Sequence, residues 1–379
     1  AARGGEALRT FSTYCAIARR RGERWPDWPS ALRDPGSADV AALAGAEAQE
    51  IRYQIFLQWL CERQFAAACE AAGAMEVGIY RDLAVGAAPD GAEAWASQAL
   101  LARGVSVGAP PDPFSPTGQV WGLPPPDPHR MALDGYDSFA ALLRANMAHA
   151  GALRIDHAMG LARLFWVPDG AEGRDGAYVS YPLQDLLGEV ALASREARCM
   201  VVGEDLGTVP EGFREVLAAN DILGYRVMLL EREGAAFRAP EHYPPLSLAC
   251  LTSHDLPTFA GWWRGADIGE RVAVGQLDDA EAAASHREEE RRALLRELGG
   301  PTGEDESHVA AEAHRRLAQG ASALVMVQAD DLSGEETAVN LPGTDAERPN
   351  WRRRLSRSVD ELFTGEGGKI LEAVRDERR

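Results

Sequence analysis

The chain has 379 residues, a formal net charge of −19 and 46% hydrophobic residues. This length suits one α/β barrel domain with insertions, and the apolar share excludes a disordered chain. The acidic balance repels nucleic acid and anionic membranes, so neither is an expected partner; it suits a neutral substrate without identifying one.

The five cysteines, Cys15, Cys61, Cys69, Cys199 and Cys250, contain no CxxC pair. That favours a reducing compartment, hence the cytoplasm, over a disulfide framework. Cys199 and Cys250 lie in apolar runs and are expected in the core. No apolar run reaches the roughly 18–20 residues a bilayer span needs, and no signal-peptide pattern is present. Ala1 opens in a helical pattern without Met, which points to a fragment of a longer protein.

In chain order, residues 5–22 carry a helical pattern, and the proline-containing stretch Trp25–Gly36 reads as a loop. Residues 38–73 read as one long helix, with Ile51, Ile55, Trp59 and Leu60 on a common face expected to pack in the core. Six short apolar runs follow, most of them ending in polar residues: Val77–Asp82, Ala152–Asp156, Cys199–Glu204, Ile222–Leu230, Ser247–Asp255 and Ser322–Val327. Helical stretches at 136–149, 183–197 and 211–220 separate several of them. Strand–helix alternation with continuous apolar strands predicts a parallel sheet buried on both faces.

Acidic residues at strand C-terminal ends are what the mouth of a TIM-type (β/α)8 barrel requires. Only six such strands are visible, so the barrel is expected to be incomplete, with its first two strands upstream of Ala1. The whole chain, 1–379, then forms one catalytic domain holding strands three to eight. Two stretches interrupt the alternation. Residues 105–130 are rich in Pro and Gly and read as an irregular functional loop. Residues 264–320 form a charged helical subdomain, in which the run Arg287-Glu-Glu-Glu-Arg-Arg is expected to be a solvated helix face.

Three strand ends carry the chemistry. Asp156 lies in Leu-Arg-Ile-Asp-His, Glu204 in Gly-Glu-Asp-Leu-Gly and Asp255 in Thr-Ser-His-Asp-Leu-Pro. Glycoside chemistry needs a carboxylate to attack the anomeric carbon and a carboxylic acid to protonate the leaving oxygen. Glu204 follows Met-Val-Val-Gly, so apolar burial should raise its pKa. Arg154 is two residues from Asp156, on the same side of the strand, where its cation would keep Asp156 ionised. Taken singly, each acid at a strand end equally fits a helix cap or an ion pair. A metal reading also stands, with His157, His254, Asp156 and Asp255 as ligands, although no HxH or HExxH string supports it. Asp205 reads as structural.

Taken together, Leu153-Arg-Ile-Asp-His157, Gly203-Glu-Asp-Leu-Gly-Thr-Val-Pro210 and Ser253-His-Asp-Leu-Pro-Thr258 resemble the three catalytic segments of the 4-alpha-glucanotransferase (amylomaltase) family. Tyr80-Arg-Asp-Leu-Ala-Val85, Val107-Gly-Ala-Pro-Pro-Asp112, Gly118-Gln-Val-Trp-Gly122, Asn340-Leu-Pro-Gly-Thr344 and Asn350-Trp-Arg-Arg353 are similar to further family segments. The resemblance runs from about residue 6 to about residue 370 and is nearest the bacterial maltodextrin-metabolism branch. It implies a retaining transglycosylase acting on α-1,4-glucans, with maltodextrin donor and acceptor, glucose among its ligands, and no cofactor or metal. It implies Asp156 as nucleophile, Glu204 as acid and then base, and Asp255 as stabiliser of the transition state. Arg154, His254 and Asp82 would contact the donor sugar, and Gln119 and Trp121 would lie on a substrate-covering loop. Val120 and Pro113 depart from the usual pattern, on the acceptor side. Hydrolysis by the same carboxylates and glucan binding without turnover are the competing expectations.

Overall fold

The computed structural model describes residues 4–111, 117–300, 305–344 and 346–378. The chain forms two compact units, Ala1–Val216 and Leu217–Arg379. Asp112 and Pro113, named in the family segments above, lie outside the described residues.

The first unit holds strands β1 (Tyr80–Leu83), β2 (Val105–Ala109), β3 (Gln119–Leu123), β4 (Ala152–Ile155), β5 (Arg163–Pro168), β6 (Ala177–Ser180) and β7 (Met200–Gly203). β1, β4 and β7 pair in parallel, in that order. All four residues of β4 are buried, Arg154 among them, as in a strand covered on both faces. Between the parallel strands lie helices Asp137–Met147, with Leu143 and Met147 fully buried, and Leu183–Ala197, with Leu186, Leu187 and Val190 inside. Gly151, just before β4, is required by space, because a Cβ there would fall 1.5 Å from the Val77 carbonyl oxygen.

The stretch at 105–130 departs from expectation. Its described part is no irregular loop: β2 and β3 join β5 and β6 in a four-stranded antiparallel sheet, ordered β3-β2-β5-β6. Its glycines act within that sheet. The β2–β3 register shifts between Val107 and Gly108, and a Cβ on Gly108 would come within 2.1 Å of the Gln119 carbonyl oxygen. The sequence reads as loop because such a bulge removes the strict alternation that marks a strand.

The long helix expected over 38–73 is two, Ala38–Ala46 and Ala48–Ala71, divided at Glu47. Its common apolar face does not hold either. Ile51 is buried and Ile55 half-buried, but Trp59 and Leu60 are 49% and 36% exposed. At 3.6 residues per turn, Leu60 lies about 180° round the helix from Ile51. Trp59 instead packs on Phe56, with ring centroids 5.7 Å apart, and under the Arg63 guanidinium. The segment expected as loop near Trp25 forms two short helical turns, Trp25–Asp27 and Ser30–Arg33, and Trp28 is fully buried with Ile17, Val40 and Trp95.

The second unit holds β8 (Leu223–Val227), the short antiparallel pair β9 (Arg232–Glu233) and β10 (Ala236–Phe237), β11 (Ser247–Cys250) and β12 (Leu324–Met326). β8, β11 and β12 pair in parallel with β11 in the middle. Helices Phe259–Arg264, Ala280–Glu297, Glu306–Ala318 and Gly365–Glu377 supply a core around Phe259, Trp262, Trp263, Leu294, Leu317 and Ile370. The run beginning at Arg287 is not simply a solvated face. Arg287 is largely buried and makes a two-pronged bond to Asp267 at 2.7 and 2.8 Å, while Arg291 lies over the Trp263 ring. Glu289 and Arg292 stay exposed, but Arg287 and Arg291 turn inward because two indoles and a buried carboxylate offer partners that spacing alone does not reveal.

Cys199 and Cys250 are buried, and all five cysteines are free. Among the described residues, no helix is long and apolar enough to cross a membrane.

Candidate active site

In the first unit, the parallel register builds the cluster. Asp82 and Arg154 are Cα partners across β1 and β4, and partners across parallel strands place their side chains on the same face. Arg154 Nη1 donates to both Asp82 oxygens at 2.8 Å. Two residues on, Asp156 shares that face, and Arg154 Nη2 contacts Asp156 Oδ1 at 2.7 Å. The Arg154 side chain is 6% exposed, against 45% for Asp82 and 31% for Asp156. Burial disfavours the guanidinium, yet the charges of Asp156 and Asp82 outweigh it and hold its pKa above the usual arginine range.

Glu204 enters from β7. The strand ladder extends one residue past both ends: Asp156 N–H donates to Leu83 O and Glu204 N–H to Ile155 O, each at 3.0 Å. Glu204 is only 7% exposed. Its Oε2 accepts from the His157 backbone N–H at 2.8 Å and its Oε1 from the Leu206 N–H at 2.7 Å. Burial raises its pKa from the ordinary 4.5 to about 7; the neighbouring Asp156 charge adds to the rise, and the two backbone donors and Arg154 oppose it. One unit therefore contains a solvent-reaching carboxylate on a buried cation and a buried carboxyl that retains its proton close to neutrality.

His157 links this pair to the antiparallel sheet. Its backbone is left-handed, at φ 44°, and its N–H is the one that donates to Glu204. Burial and the Arg163 charge lower the imidazole pKa to about 4, so the ring is neutral at pH 7. The Trp121 ring meets it edge-on, with centroids 5.2 Å apart, and Trp121 Nε1 donates to Gln119 Oε1 at 2.9 Å. Asp205 is fully buried and accepts from Arg214 Nε at 2.8 Å, as a structural residue would.

In the second unit, His254 and Asp255 follow β11. His254 Nε2 lies 3.2 Å from Asp255 Oδ2, and Asn340 Nδ2 donates to Asp255 Oδ1 at 2.8 Å. Asn340 belongs to the Asn-Leu-Pro-Gly-Thr string; a polar residue just before a Leu-Pro-Gly turn was the available signal, and sequence reasoning gave it no role. The sequence offers His157 only as a metal ligand, and nothing in it announces the backbone bond to Glu204. Among the described residues, no three or more His, Cys, Asp or Glu side chains cluster so as to hold a metal ion.

A family model described as 4-alpha-glucanotransferase matches residues 1–360. The chain belongs to the 4-alpha-glucanotransferase family. Its curated relatives in that family include the 4-alpha-glucanotransferase of Mycobacterium tuberculosis (strain ATCC 25618 / H37Rv), 39% identical over a gapped alignment of 396 positions that covers 98% of this chain and 54% of that protein. The Haemophilus influenzae 4-alpha-glucanotransferase is 34% identical over a gapped alignment of 364 positions that covers 92% of this chain and 52% of that protein. This chain thus spans about half the length of these curated 4-alpha-glucanotransferases.

Solved structures similar to this chain include two amylomaltases. The crystal structure of amylomaltase from Corynebacterium glutamicum has a TM-score of 0.87 at 30% identity and covers 100% of this chain and 55% of its own. The amylomaltase from Streptococcus agalactiae in complex with acarbose has a TM-score of 0.82 at 19% identity, covers 100% of this chain and 73% of its own, and speaks for the fold alone. With the parallel strands above, these neighbours support the α/β barrel class expected for a 4-alpha-glucanotransferase family chain.

Proposed function

We propose that this chain carries the chemistry of a retaining transglycosylase that moves α-1,4-glucan segments between maltodextrins. The observation that supports it best is the contrast between two neighbouring acids: Asp156 on the Arg154 cation, and Glu204 buried with its pKa raised to about 7. Paired carboxyls held at different pKa values divide into a nucleophile and an acid.

On this reading, an Asp156 oxygen attacks the anomeric carbon of the donor, and the bond to the leaving glucan oxygen breaks. Glu204 gives that oxygen its proton. Ester formation removes the Asp156 charge, one of the causes of Glu204's raised pKa, so Glu204 stays ionised for the second half. It then takes the proton from the 4-hydroxyl of an acceptor glucan, whose oxygen displaces Asp156. Asp255 serves as the third carboxylate, stabilising the oxocarbenium-like transition state, and His254 with Asn340 orients it. Asp82 and Arg154 hold the donor sugar. Gln119 and Trp121 cover the substrate, and excluding water there favours transfer over hydrolysis. The six parallel strands are assigned to an eight-stranded barrel. The free cysteines suit a cytoplasmic setting.

Incubation with maltotriose tests this reading, with products separated by chain length. Longer maltodextrins together with free glucose are expected. Shorter products alone would replace transfer by hydrolysis, and binding without turnover would reduce the chain to a glucan-binding protein.

A further inference from the structure

Trp351 stands out in the second unit because two of its properties run against what a tryptophan prefers. It is 61% exposed, and its backbone is left-handed at φ 59°, a conformation rare for a bulky residue. The surrounding loop imposes this. Trp351 N–H donates to Val339 O at 2.9 Å. Its neighbour Asn350 accepts from Leu341 N–H at 3.1 Å and donates to Thr344 O at 3.0 Å, and Arg348 Nη1 donates to Asn350 Oδ1 at 2.6 Å. Arg348 is itself fixed to Glu270 at 3.2 Å. A loop bound at so many points holds the indole where it is; strain maintained in this way invites a functional explanation.

The position of the indole suggests what it does. Its ring lies against the His254 imidazole, with centroids 5.5 Å apart and planes inclined at 53°. His254 touches Asp255, and Asp255 accepts from Asn340, whose loop is the one Asn350 ties to Trp351. An exposed aromatic face thus adjoins a compact group of hydrogen-bonding side chains. A hexose has matching chemistry: an apolar C–H face to lie on the indole, and hydroxyls round its rim for the amide, imidazole and carboxylate.

We propose that Trp351 is a stacking platform that seats one glucosyl unit of an α-1,4-glucan beside Asp255. The proposal rests on the glucan reading given above and adds a binding residue to it. Its ring lies against His254 and offers no group that exchanges a proton, so its effect is on binding.

The test is calorimetric titration with maltotetraose, using Asp156→Asn chains so that turnover does not consume the probe. The indole N–H resonances of 15N-labelled tryptophan are followed in parallel, and Trp351→Phe assigns the Trp351 signal. The Trp351 signal is expected to shift on titration. Trp351→Ala should weaken binding roughly 10-fold, and Trp351→Phe should recover most of the loss, because a ring still offers a face. Thermal unfolding should be unchanged, the side chain being exposed. Equal affinities for Trp351→Ala and its parent would overturn the platform while leaving transfer from maltotriose intact. No maltotetraose binding by the parent, together with no transfer from maltotriose, would overturn the glucan reading and the platform together.

Discussion

Glu204→Gln should reverse its effect on stability as the pH changes. Raising the Glu204 pKa from 4.5 to about 7 means that the folded chain holds this proton more tightly than the unfolded chain does. At about 1.4 kcal/mol per pH unit, the difference amounts to about 3 kcal/mol. That contribution is present in full below pH 4.5 and is lost as the pH rises through about 7. Glutamine does not ionise, so it escapes the loss. It does bring a cost: both Glu204 oxygens accept backbone N–H groups, from His157 and Leu206, and the amide NH2 must replace one acceptor. One lost bond costs about 1 kcal/mol. The variant should therefore be less stable than the parent by about 1 kcal/mol at pH 4.5 and more stable by about 2 kcal/mol at pH 8.5. Urea unfolding at the two pH values measures this. A difference between variant and parent that is the same at both would refute the buried, proton-retaining Glu204.

Arg154→Met removes the cation that Asp82 and Asp156 share. Transfer from maltotriose should fall at least about 100-fold. Because Arg154 lowers the Glu204 pKa, the alkaline limb of the residual pH–activity profile should also move to higher pH; a limb that moved down would contradict the charge assignment. Arg287→Ala leaves the buried Asp267 without the partner that holds it at 2.7 Å and should cost about 3 kcal/mol in urea unfolding, whereas a loss under about 1 kcal/mol would show that water replaces the pair. Gly151→Ala drives a Cβ to within 1.5 Å of Val77 O and should cost about 3 kcal/mol or abolish soluble expression. A Gly151→Ala chain with the parent's melting temperature would contradict the close strand entry.

The parallel framework was legible because buried strands leave continuous apolar runs. Five of the six runs brackets its strand, as Ala152–Asp156 does the observed Ala152–Ile155, and Val77–Asp82 misses only the end of Tyr80–Leu83. The Asp82–Arg154–Asp156 cluster was partly legible: an i, i+2 spacing fixes a common face, but the Asp82 contact comes from pairing between strands far apart in sequence. The antiparallel sheet was not legible. β2 and β3 carry glycines at a bulge, and β5 lies outside the six apolar runs read as strands. The mis-set face of Ala48–Ala71 shows how quickly a helical stripe drifts: nine residues carried Leu60 to the far side from Ile51. The left-handed backbones of His157 and Trp351 left no mark in the sequence, since glycine, the usual sign, is absent at both.

The most direct test of the account is to trap the intermediate with a slow glucosyl fluoride donor and locate the label by peptide mass spectrometry. The account predicts a glucosyl ester on Asp156, in the peptide containing Leu153-Arg-Ile-Asp-His157. A label on any other residue, or transfer from maltotriose with no trapped ester, would contradict it.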